Sequence, residues 1–76
     1  MNERAPAGAQ VEITVNGAAR QLRPGTTVAE LILAMGRSPQ GIAVSVNLEV
    51  VSRSRWASTP LREGDGVEVL AAAPGG

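Results

Sequence analysis

Asn16-Gly17 is the feature that most narrows what this chain can build. A type I′ turn needs positive φ at both central residues, which Asn and Gly tolerate, so the pair joins two antiparallel strands. On its N-terminal side Val11, Ile13 and Val15 alternate with Glu12 and Thr14, the period-two pattern of a half-buried strand. The return strand is expected from Ala18 to Arg23, ending at Pro24-Gly25.

A helix is expected next, over about residues 28 to 35. Thr27 suits the N-cap, Glu30 completes a capping box, and Val28, Leu31, Ile32 and Met35 form a stripe at i, i+3, i+4, i+7. Gly36 fits the position after the C-cap, and Pro39 stops the helix. Ile42, Val44 and Val46 alternate with Ala43 and Ser45 in a third strand. Asn47-Leu48-Glu49 then turns into a short apolar pair, Val50-Val51. Residues 52–61 have no period and read as an ordered loop, with one helical turn around Trp56. Gly64-Asp65-Gly66 is a tight turn into a last strand through Val67 and Val69.

The expected order is β-β-α-β-(short β)-β, an α+β fold with a mixed sheet packed on one α-helix. The expected core is Val11, Ile13, Val15, Val28, Leu31, Ile32, Ile42, Val44, Val46, Val67 and Val69. Trp56 is expected to pack inside as well, because a lone large aromatic is worth most when buried. Arg53 and Arg55 read as solvated, and Asp65 as a turn residue. The expected organisation is a flexible N-terminal arm over residues 1–10, a domain over 11–72, and a flexible tail over 73–76.

Composition removes most chemistry. With 76 residues, about 60% of the unfolded surface can be buried, which supports one small core. There is no cysteine and no histidine, so disulfides, zinc knuckles, thiol nucleophiles and the commonest general base are excluded. Seven arginines balance seven carboxylates, so no basic field for nucleic acid exists. No apolar stretch suggests a membrane span or a leader, and a cytoplasmic location is expected. Carboxylates are scattered singly, hydroxyls lack an adjacent base, and Gly64 and Gly66 do not open a phosphate-binding helix.

One reactive group is left, the carboxylate of Gly76. The segment Ala71 to Gly76 could extend roughly 20 Å from the domain. Gly75 and Gly76 lack Cβ atoms, so the last peptide units could thread a channel too narrow for other residues. Strand alternation places Leu70 and Ala72 on the face away from the helix, where a partner would dock.

Fold and tail together resemble the ubiquitin-like β-grasp sulfur carriers, and most closely the ThiS family of thiamine biosynthesis. The resemblance spans about residues 11 to 76. It is carried by Asn16-Gly17, Pro24-Gly25-Thr26-Thr27-Val28-Ala29-Glu30-Leu31, Val44 to Val51, Arg53 with Trp56, Leu61, Gly64 to Val69 and terminal Gly75-Gly76. Leu48 stands where Gly is commoner in that family, Ser52 where Pro is commoner, and Ala71 to Pro74 are less bulky than usual.

The resemblance implies a cosubstrate that is not itself an enzyme and binds no cofactor. An E1-like adenylyltransferase of the ThiF type would supply ATP and Mg and adenylate Gly76. A cysteine desulfurase relay would supply the sulfur of a Gly76 thiocarboxylate, and a thiazole synthase of the ThiG type would consume it. Three alternatives share the fold: the sulfur carrier subunit of molybdopterin synthase, a carrier serving another pathway, and a ubiquitin-like protein modifier. A fourth is an interaction module with an idle Gly-Gly end.

Overall fold

The computed structural model describes residues 10–71. Of the expected arm, only Gln10 lies within it; Ala72 of the expected domain and the whole expected tail, residues 73–76, lie outside it. Five strands, β1 (Val11–Val15), β2 (Ala18–Leu22), β3 (Ile42–Val46), β4 (Glu49–Val51) and β5 (Gly66–Ala71), form one sheet in the order β2-β1-β5-β3-β4. Among the described residues, one helix, α1 (Val28–Ala34), and a 3-10 helix (Arg53–Ser58) complete the elements. Only β1 and β5 pair in parallel; the other pairings are antiparallel. This is the expected α+β arrangement, a mixed sheet on one helix with β-grasp order.

The local chemistry accounts for the elements. Asn16 and Gly17 take φ of 52° and 88°, as the hairpin requires. In the capping box, the Glu30 N–H donates to Thr27 Oγ1 at 3.2 Å and the Thr27 N–H donates to Glu30 Oε1 at 3.0 Å. The helix ends one residue short of the expectation, with Met35 as C-cap. Gly36 then takes φ of 74°, and the N–H groups of Gly36 and Arg37 donate to the carbonyls of Leu33 and Ile32. β2 also ends one residue early, at Leu22, beside Pro24.

The core lies between α1 and one face of the sheet. Ile13, Val28, Leu31, Ile32, Val44 and Val67 are almost wholly buried. Each such side chain contributes about 1.5–3 kcal/mol relative to exposure. Three expectations are corrected: Val11, Ile42 and Val46 are only partly buried and pack against the core from the strand ends without being enclosed in it. Leu22 and Leu61 take core places instead.

The segment 52–61 is more regular than a loop. Trp56, in its 3-10 helix, is buried and donates from Nε1 to the Val51 carbonyl at 2.9 Å. Residues 59–61 then run against the entry to α1. Val28 N–H donates to the Thr59 carbonyl at 3.0 Å and Leu61 N–H to the Thr26 carbonyl at 2.8 Å, which draws the Leu61 side chain into the core.

Candidate functional site

The last strand is central, so β1 and β3 hold it on both sides before the chain leaves the described residues at Ala71. Two turns clip onto it as well. Asn16 Nδ2 donates to the Val69 carbonyl at 3.1 Å, and the Val69 N–H donates to Asn16 Oδ1 at 2.9 Å. At the other end of the strand, the Gly66 N–H donates to Asn47 Oδ1 at 2.9 Å and Asn47 Nδ2 donates to Asp65 Oδ1 at 2.9 Å. Asp65 Oδ2 also accepts from the Arg62 N–H at 2.8 Å, which closes the turn before β5. The strand that leads to the tail is therefore held along its length.

Alternation sends Val67 and Val69 into the core, leaving Glu68 and Leu70 on the opposite face. Leu70 is 61% exposed, as expected for the open side. Its neighbours on that side follow from register. Ala43 lies opposite Leu70, Ser45 opposite Glu68, and Val50 opposite Ser45. Asn47 and Leu48 form the β3–β4 turn at φ of 52° and 72°, which projects Leu48 beside Val50. Leu48 and Val50 are 87% and 79% exposed, and with Leu70, Ala43, Ser45 and Glu68 they line one shallow depression.

This patch of exposed large apolar side chains is a feature expected of a docking surface. Sequence reasoning singled out Leu70 but not Val50 or Glu68, and treated Leu48 only as a turn residue. The signal for Val50 was present: adjacent Val50 and Val51 in one strand cannot both face the core. Arg53 and Arg55 are exposed. Among the described residues, no group of three or more metal-ligating side chains comes together. No described helix is long and apolar enough to cross a membrane. Ala72, Gly75 and Gly76 lie outside the described residues.

Comparison with known proteins gives this arrangement a family. A sulfur carrier protein ThiS from Thermus thermophilus is 39% identical over 64 residues, covering 84% of this chain and 98% of that one. A thiazole synthase from Magnetococcus marinus is 35% identical over 60 residues, which is 79% of this chain. This chain spans only 18–20% of the length of the thiazole synthases it matches. The crystal structure of a thiamine biosynthesis protein, ThiS, from Geobacter metallireducens superposes with a TM-score of 0.75 at 30% identity, covering 87% of this chain and all of that one. The model of the ThiS family matches residues 13–76, from the first core residue of β1 to the terminal glycine pair, and the chain belongs to that family.

Proposed function

We propose that this protein is a sulfur carrier of thiamine biosynthesis whose working group is the carboxylate of Gly76. One observation carries the reading: the family match extends over residues 13–76 and so includes Gly75-Gly76, on a fold whose last strand is the final described element before that segment. The five residues after Ala71 can extend about 16–18 Å, far enough to enter a partner's active site while the domain stays outside.

The chemistry follows from the group. A carboxylate cannot lose oxide, so it needs a leaving group. At neutral pH an α-carboxyl, with an ordinary pKa of about 3.3–3.7, is anionic and nucleophilic. Its oxygen attacks the α-phosphorus of ATP and pyrophosphate leaves, with ATP and Mg held by an E1-like adenylyltransferase. The terminal sulfur of a persulfide, charged by a cysteine desulfurase, then displaces AMP at the carbonyl carbon. Cleavage of the S–S bond by a thiol leaves the Gly76 thiocarboxylate. A thiazole synthase takes the sulfur from there, and the matched thiazole synthases support that recipient. The carrier catalyses none of these steps. Its contributions are reach, the slimness of Gly75 and Gly76, and a docking face around Leu70.

The reading is tested by loading the chain with isotopically labelled sulfur and adding thiazole synthase with its other substrates. Label in a thiazole product supports it. Label that stays on the carrier, or passes only to another pathway's acceptor, contradicts the thiamine assignment.

A further inference from the structure

The first hairpin turn carries chemistry that the carrier role does not use. We infer that Asn16 is a site of spontaneous deamidation, that its two bonds to Val69 hold the reaction in check, and that conversion releases β5 close to the tail. The inference does not depend on what the tail carries.

Of the three asparagines in the chain, only Asn16 is followed by glycine. Deamidation needs the backbone nitrogen of the next residue to reach the side-chain carbonyl carbon, and a side chain on that residue obstructs the approach. Gly17 has none, and it is exposed together with Asn16 in the turn. Its N–H donates to no acceptor among the described residues. The Gly17 nitrogen, having lost its proton to water or hydroxide, attacks Asn16 Cγ. The N–Cγ bond forms, the Cγ–Nδ2 bond breaks, and Nδ2 takes a proton from water and leaves as ammonia. Water then opens the cyclic imide at either carbonyl. One product is aspartate; the other is isoaspartate, in which the main chain runs through the side chain. Water enters, ammonia leaves, and nothing is oxidised or reduced.

The folded turn opposes this reaction. Nδ2, the leaving group, donates to the Val69 carbonyl at 3.1 Å, and Oδ1 accepts from the Val69 N–H at 2.9 Å. Asn16 also sits in the left-handed region at φ of 52°, where ψ is positive, whereas closing the ring needs ψ of the opposite sign. Both bonds must open, and the turn with them, before the ring closes. Asn47 shares the φ of 52° and is held by Gly66 and Asp65, but Leu48 follows it and its side chain stands in the way.

Conversion cannot be undone by refolding. An ionised aspartate accepts and does not donate, so it sets an oxygen against the Val69 carbonyl where Nδ2 donated before. Isoaspartate also lengthens the turn by one main-chain carbon. In either product β5 loses the tie that continues its pairing with β1 past Val67, two residues before the described chain ends at Ala71.

The full chain is aged in mildly alkaline buffer, with and without enough urea to unfold it, and conversion is followed by peptide mapping. In urea Asn16 is expected to convert at least about fivefold faster, because two ordinary hydrogen bonds no longer have to be broken first. Asn47 should lag behind Asn16 in urea. Conversion as fast or faster in the folded chain overturns the protective role of Val69, and an Asn16 that stays intact in urea overturns the site. The consequence is read separately. Asn16→Asp and the aged, refolded chain should both melt below the wild type, and a Tm equal to wild type in both would show that conversion does not release β5.

Discussion

The side chain of Asn16 takes the place of a strand for Val69, occupying both its N–H and its carbonyl at 2.9 and 3.1 Å. Backbone pairing of β1 with β5 stops at Val15 opposite Val67, and Asn16 extends it by one more pair of hydrogen bonds. The residue that turns the first hairpin thus also fixes the strand from which the tail departs.

Asn16→Gly keeps the positive φ but removes both bonds. At about 0.5–1.5 kcal/mol each, the loss should be about 1–3 kcal/mol. In a domain of this size that lowers Tm by several degrees, since about 1 kcal/mol corresponds to about 4–8 °C. A thermal melt unchanged from wild type would show that these bonds contribute nothing.

Leu48 is held at φ of 72°, a conformation that favours glycine. Strain of about 1–2 kcal/mol is relieved in Leu48→Gly, against about 0.5–1 kcal/mol of added chain entropy. The variant should be more stable by about 0.5–1 kcal/mol in urea denaturation and bind the activating enzyme more weakly, because the exposed leucine is lost from the docking face. Higher stability with unchanged affinity would take Leu48 out of that face.

Ser52 precedes the 3-10 helix at φ of −66° and makes no side-chain capping bond. Proline is preset to that φ, so Ser52→Pro should stabilise by about 0.4–1 kcal/mol through the unfolded chain. A lower Tm would show that the ring collides with the preceding strand.

Where local chemistry decides the structure, the sequence was readable. The hairpin at Asn16-Gly17, the capping box of Thr27 and Glu30, and the outward placement of Leu70 all follow from residue type and spacing. Leu22 and Leu61 were missed because their burial depends on distant partners. Leu22 is covered through its register with Val11, and Leu61 is drawn inward by the bond to Thr26 across 35 positions. No period within residues 52–61 reports such pairing. The docking face was half legible for the same reason: alternation marks Leu70, but only the β3–β4 turn brings Leu48 and Val50 beside Glu68.

The central claim is that Gly76 carries the sulfur, and intact-mass spectrometry tests it most directly. The full-length chain and a chain lacking Gly76 are incubated with the activating enzyme, Mg-ATP and a sulfur donor. Both should melt alike, because among the described residues every member of the buried core lies before residue 70. The shortened tail places its carboxylate about 3.5 Å short of the ATP phosphorus, and misplacement by about 1 Å can cost about a hundredfold in rate. The account predicts one oxygen exchanged for sulfur in the full-length chain and none in the truncated one. Equal sulfur in both chains, or none in the full-length chain with a competent enzyme, would contradict it.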